Sequence, residues 1–153
     1  LERFMADWYV VGFIPIDNLL ISEAGAHNAI ESYVLAPDGR IKTTYSFRDG
    51  AFEGPLREYH PTGFVHDRIT NAEWRMQFLW PFKSAYLIAH VDETYSSTII
   101  GVPDRSNVWL MTRTPNLSQE AYMGLLGVAD GLGFDVSKIK RVPHSWPDNE
   151  GAP

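Results

Sequence analysis

Met5-Ala6-Asp7-Trp8-Tyr9-Val10-Val11-Gly12-Phe13-Ile14 opens the chain on a strand, and Leu110-Met111-Thr112-Arg113-Thr114-Pro115 ends the strand series far downstream. An aromatic pair leading a β-branched run suits a pleated, half-buried surface. Alternation puts Trp8, Val10, Gly12 and Ile14 on one face and Tyr9, Val11 and Phe13 on the other. Between the two stretches lie short alternating runs joined by turn residues. Strand two covers 27–35 and ends at Pro37-Asp38-Gly39; strand three covers 41–48 and ends at Asp49-Gly50. Strand four, 56–67, is interrupted by Pro61 and Gly63, which mark a bulge or bend. Runs at 72–78, 85–91, 97–102 and 107–113 bring the series to eight. An antiparallel meander exposes two edges, and closure into an up-and-down barrel removes them. In that barrel Trp8 plugs one end and Arg113 lies across its face as a cation–π partner.

The period then changes. Asn116 or Ser118 caps a helix, and Ala121, Tyr122, Leu125, Leu126, Ala129 and Leu132 form one apolar stripe before Gly131 and Gly133 stop it. The outward face of strand one, with Tyr9, Val11 and Phe13, is the surface such a helix can cover. A short extended piece at 134–140 follows, and the tail 143–153 reads as flexible. The expected fold is all-β: one domain over 1–142, an eight-stranded up-and-down antiparallel barrel with one C-terminal α-helix packed outside.

Composition excludes several functions. The chain has 153 residues, 13 basic against 19 acidic, a net charge of −6 and no basic run, which is a poor match for nucleic acid. No apolar run is long enough for a membrane-spanning helix. There is no cysteine, hence neither disulfide nor thiolate chemistry. The 20 aromatic residues exceed the needs of one small core and suggest a lined cavity. The first loop, 15–25, carries Leu19-Leu20-Ile21, too apolar for a solvated connection; a flap folded onto the barrel is favoured over a partner-binding patch.

Catalytic motifs are missing. No Gly-x-Ser-x-Gly elbow occurs, and Gly124 and Gly127 lie inside the helix, not in a phosphate-binding loop. His60 and His66, on one strand, stand roughly 20 Å apart at about 3.3 Å per residue, too far to share a metal. Asp104-Arg105 reads as holding a turn. No metal or cofactor is called for, and the chain reads as a binding protein and not an enzyme.

Eight strands, one C-terminal helix, Trp8 on the first strand and Arg113 on the last resemble a lipocalin. The stretch Gly101-Val102-Pro103-Asp104-Arg105, then Trp109 to Pro115, then Gly133-Phe134-Asp135-Val136-Ser137-Lys138, is similar to the bacterial outer-membrane lipoprotein lipocalins and apolipoprotein D. Two positions depart from that pattern: Ala6 stands where the family usually has glycine, and Asn107-Val108 where an aromatic residue usually precedes the final strand. The resemblance implies binding, storage or transport of a fatty acid or lysophospholipid in the barrel, related to membrane maintenance. It also implies a bacterial envelope location, at the outer membrane facing the periplasm. A start only a few residues before a strand suggests a trimmed N-terminus, and a lipid-anchoring cysteine would have gone with it. Monomer and dimer both stay open, as do a lipocalin-fold enzyme acting on a lipid or isoprenoid and an interaction protein working through the first loop.

Parity and the resemblance together give the expected lining: Val10 and Ile14 above Trp8; Glu31 and Tyr33; Tyr45 and Phe47; Tyr59; Trp74, Met76 and Phe78; Tyr86, Ile88 and His90; Ile100; and Trp109. Tyr33 and the set Tyr86, Ile88 and His90 are placed by alignment with the family; the bare pattern equally allows Leu87, Ala89 and Val91. The alternative is that these aromatics simply fill a core. Glu31 is the anomaly, because a carboxylate among apolar walls is costly unless paired or protonated. Turned inward, it can pair with His90 or accept from Tyr45 or Tyr86.

Overall fold

The structure, a computed structural model, describes residues 1–147. Its strands are β1 (Ala6–Ile14), β2 (Ala26–Leu35), β3 (Arg40–Asp49), β4 (Leu56–Tyr59), β5 (Thr62–Val65), β6 (Glu73–Leu79), β7 (Phe82–Val91), β8 (Ser97–Gly101), β9 (Val108–Thr112) and β10 (Lys140–Arg141). All neighbours are antiparallel, in the order β1-β2-β3-β5-β6-β7-β8-β9, and β9 pairs back onto β1. β4 and β5 both pair with β3 and are one strand broken around Pro61, which has no N–H to give to a ladder. The barrel is therefore the expected eight-stranded one.

Helix α1 (Gln119–Gly131) starts at Ser118, whose hydroxyl accepts from the Ala121 N–H at 3.1 Å. Tyr122, Leu125 and Ala129 bury against Val11, Ile99, Val108 and Leu110 on the outside of β1, β8 and β9. A Cβ on Gly12 would sit 2.9 Å from the Tyr122 hydroxyl, so glycine lets the helix lie close. The Asp104-Arg105 turn reaches the far end of this helix, where Arg105 Nε donates to the Leu132 carbonyl at 2.8 Å.

Three expectations need correction. Opposite β9, Val11 is an extra residue: Val10 faces Met111 and Gly12 faces Leu110. This bulge reverses the parity, turning Phe13 into the barrel core and Ile14 out towards the helix cluster. The piece at 134–140 is not extended: a 3₁₀ turn, Val136–Lys138, precedes β10, which pairs with Gly12 and Phe13. Nor is the start of the tail loose. Asn28, at φ +52, takes the Pro143 carbonyl on its N–H at 2.9 Å and exchanges side-chain bonds with the backbone of Ser145 at 2.8 and 2.9 Å. His144 Nε2 donates to the Val10 carbonyl, and its Nδ1 accepts from the Trp146 indole; burial holds this imidazole below its ordinary pKa. Both rings meet Tyr9 edge-on. The tail thus fills the gap where β1 and β2 part; residues 148–153 lie outside those described.

At the closed end the Arg113 guanidinium sits 3.7 Å above the Trp8 ring. It also donates to the carbonyls of Asp7 (2.8 Å), Arg3 (2.9 Å), Phe4 (3.3 Å) and Tyr95 (3.3 Å). Replacing Arg113 by Ala should cost about 1–3 kcal/mol, read by chemical denaturation, because several carbonyls and the indole lose their partner. Arg113→Lys should recover little of that loss, since an ammonium cannot reproduce the fork.

Ala6 has φ +73, the left-handed region in which an L-residue costs about 1–2 kcal/mol. Glycine there removes that cost but loses about 0.5–1 kcal/mol of chain entropy. Ala6→Gly should therefore raise stability by up to about 1.5 kcal/mol, visible as a higher Tm; a lower Tm would show that the strain is relaxed elsewhere.

Candidate functional site: a mouth cavity above two buried carboxylates

The end of the barrel opposite Trp8 is where space opens. Phe4, Trp8, Tyr33 and Trp74 pack edge-to-face or tilted at 5.1–5.6 Å between centroids and leave the closed end solid. Val10, Ile88 and Ile100 also pack into this inner cluster. Phe47 and Tyr59 stack on one another and pack against Tyr45. Apart from Tyr45, these residues line neither cavity of the mouth, so a filled core describes the lower barrel.

Above them lies a cavity of about 240 Å³, walled by Met76, Phe78, Ala85, Tyr86, Val102 and Trp109, with Ile16, Leu20 and Ile21 of the first loop on one side. The loop is folded over as a flap: Ile21 is buried, and Asp17 and Ser22 bridge its arms. Leu19 and Leu20 instead face solvent, as do Leu79, Trp80 and Phe82 of the β6–β7 hairpin, with Trp80 80% and Phe82 73% exposed.

A smaller cavity of about 40 Å³ lies beneath, and Ile16, Ile21, Phe78, Tyr86 and Trp109 line both spaces. Its other walls are Glu23, Glu31 and Tyr45. Glu31 accepts from the Tyr86 hydroxyl at 3.2 Å, and Tyr86 shares a short hydrogen bond with Tyr33. Glu23 accepts from the Ile16 N–H at 2.8 Å and from the Trp109 indole at 3.0 Å, so the flap is seated by a carboxylate. The Tyr45 hydroxyl feels the charge of both acids but completes a hydrogen bond to neither. Burial first, and then the neighbouring Glu23, push Glu31 up from 4.5 to about 8. Burial also raises Glu23, while the N–H donors of Ile16 and Trp109 pull it back down. Glu31 therefore keeps its proton at neutral pH, and Glu23, with two N–H donors, is the better holder of negative charge.

Two expected lining residues are elsewhere. Ile14 faces the helix, for the reason given above. His90 is turned out by a second bulge: Ile88 faces Ile100, Ala89 is extra, and His90 pairs with Ile99, whose side chain belongs to the helix cluster. His90 lines an external groove with Thr112, Leu117 and Leu125, so there is no His90–Glu31 pair. The sequence reading missed Glu23 and Ile16 and set Phe13 on the outer face, whereas Ile21 lies where the flap reading of Leu19-Leu20-Ile21 put it. The one available signal for Glu23 was an acid two residues from the apolar Leu19-Leu20-Ile21 of a loop expected to fold inward.

A family described as a lipocalin-like domain matches residues 1–144. The chain belongs to this lipocalin-like family. It is 29% identical to the Outer membrane lipoprotein Blc of Escherichia coli (strain K12), across 90% of this chain and 75% of that one. It is 27% identical to Temperature-induced lipocalin-1 of Arabidopsis thaliana, across 99% of this chain and 84% of that protein. The crystal structure of lobster apocrustacyanin A1 superposes with a TM-score of 0.70 at 11% identity, covering 95% and 79% of the two chains, a likeness of fold alone. Lipocalins as a family bind and carry hydrophobic ligands, and the mouth cavity is where this lipocalin has apolar room for one.

The carboxylate pair makes stability pH-dependent. Between 4.5 and about 8 the folded state keeps a proton on Glu31 that the unfolded chain has lost, so stability falls as pH rises through that window. The loss is at most about 1.4 kcal/mol per pH unit from this group. Thermal melts from pH 5 to 8 should show a declining Tm that Glu31→Gln flattens, with the variant more stable than the parent at pH 8. A Tm profile identical in parent and variant would mean that Glu31 ionises without cost.

Proposed function

We propose that the barrel binds one single-chain lipid, a fatty acid or a lysophospholipid, with part of its chain in the mouth cavity. The observation that carries this is the cavity of about 240 Å³ with aliphatic, aromatic and methionine walls, below the roughly 300–1,000 Å³ of most small-molecule sites and so suited to a slender ligand. Met76 gives such a wall some adaptability. The exposed Leu20, Leu79 and Phe82 extend the apolar surface outward to cover methylenes that the cavity cannot enclose. An anionic carboxylate or phosphate head stays at this rim, away from Glu23 and Glu31. The role is one of binding and transport in membrane maintenance, without chemistry on the ligand.

The same reading places the protein at a bacterial outer membrane, facing the periplasm and held by an N-terminal lipid. Its support is the likeness to outer membrane lipoproteins, together with the apolar rim, which would let a lipid pass between bilayer and barrel without crossing water.

Each buried methylene contributes about 0.8 kcal/mol, and chain ordering and lost translational freedom offset much of the sum. Dissociation constants near a micromolar, roughly −8 kcal/mol, are expected. Delipidated protein titrated with fatty acids and lysophospholipids should show saturable one-to-one binding by native mass spectrometry and a change in Trp109 fluorescence. Ser84 pairs with Met76 at the cavity wall and is exposed, so Ser84→Trp should fill the space and weaken binding at least tenfold without loss of fold. Absence of any complex at tens of micromolar lipid overturns the proposal.

A further inference from the structure

The small cavity under the mouth has a chemistry that an ordinary acyl chain leaves unused. Two carboxylates face a space of about 40 Å³, and the residues lining it and the mouth above include no Lys, Arg or His. Buried charge is expensive unless it meets an opposite charge or donors. Glu23 has two N–H donors on one oxygen, and Glu31 has no N–H donor, only the Tyr86 hydroxyl at 3.2 Å with the Tyr33 hydroxyl beside it. A third polar group is the hydroxyl of Tyr45, a residue that lines the same space; this oxygen is buried and has no hydrogen-bond partner. The site therefore offers acceptors and negative charge in excess of donors and positive charge.

We infer that this floor is a subsite for a primary ammonium, so that a long-chain primary amine enters the barrel head first. The inference rests on the mouth cavity taking an apolar chain, and it adds the chemistry of the inner end. An ammonium brings three donors, which match Glu23, Glu31 and the Tyr45 hydroxyl oxygen. A space of about 40 Å³ holds roughly one water-sized group, which admits an ammonium and rejects a phosphate or a trimethylammonium. A carboxylate head is rejected for a second reason, its repulsion by the charge on Glu23, and it offers Glu31 no cation in exchange for its proton. The alkyl chain leaves past Phe78, Tyr86 and Trp109, which line both cavities. The titratable groups around the floor are Glu23 from the flap, Glu31 and Tyr33 from β2, Tyr45 from β3 and Tyr86 from β7, and of these Glu31 gives up a proton as the amine binds. Amine affinity should therefore rise from pH 6 to pH 8.

The test compares four ligands of one chain length on the delipidated protein by calorimetry at both pH values: dodecylamine, dodecan-1-ol, dodecanoate and dodecyltrimethylammonium. Dodecylamine should bind at least tenfold more tightly than each of the others at pH 8 and should release protons on binding. Glu31→Gln should abolish the proton release and lower the amine-to-alcohol ratio severalfold, and Tyr45→Phe should lower it as well. Non-specific attraction of an amine to the acidic surface would persist in both variants, and a ratio unchanged in both overturns the inference. Dodecanoate binding as well as dodecylamine also overturns it while leaving the lipid-binding proposal standing. Failure of all four to bind overturns both.

Discussion

Arg113 lies on the Trp8 indole and donates at once to carbonyls of a 3₁₀ turn at the N-terminus (Glu2–Phe4), of β1 and of the β7–β8 turn, so one side chain ties together the segments that meet at the closed end. Trp8 is also fixed by its own indole N–H, which donates to the Phe4 carbonyl at 2.8 Å. With these two groups in place, Phe4, Tyr33 and Trp74 can only fill the space above them, and they do so ring against ring. Each such aromatic buries about 150–250 Å², which makes the lower barrel a packed core. The ligand space is consequently confined to the mouth, and its size follows from how high the aromatic plug reaches.

Which side chains reach that space depends on register, and register was readable only where the two faces of a strand differ. β3 alternates Ile41, Thr43, Tyr45 and Phe47 with Lys42, Thr44, Ser46 and Arg48, and β6 sets Trp74 and Met76 against Arg75 and Gln77; both strands lie as the alternation requires. β1 and β7 are apolar on both faces, because one face meets the barrel core while the other meets the helix or the rim. An extra residue at Val11 or Ala89 leaves such a pattern looking unbroken, yet it sends Phe13 inward and turns Ile14 and His90 outward. The helix, its Ser118 cap and the break around Pro61 were legible because each rests on local chemistry. The docking of the tail was not: it depends on Asn28 reaching a left-handed conformation and on a gap between β1 and β2, neither of which leaves a mark in the residues 143–146 themselves.

Ala6 shows the same limit from another direction. The resemblance located a departure from glycine at that position, but only the backbone says what it means: φ is +73 at the entry to β1, beside the Asp7 carbonyl that Arg113 holds. The strain there persists because the closed end over-determines it, with β1 paired to β2 from Ala6 onward.

The two carboxylates at the floor join the flap to the cavity it covers. Glu23 belongs to the first loop, and its bonds to the Ile16 N–H and the Trp109 indole are what seat the apolar residues Ile16 and Ile21 over the barrel. The same carboxylate is the charge nearest Glu31 that keeps the latter protonated, after burial itself. Seating the flap and setting the charge of the floor are thus one arrangement. A flap held by apolar contacts alone would close the mouth equally well and would leave a neutral floor. The cost of burying a second acid is the physical reason to connect this loop with what the cavity receives as well as with how the cavity is closed.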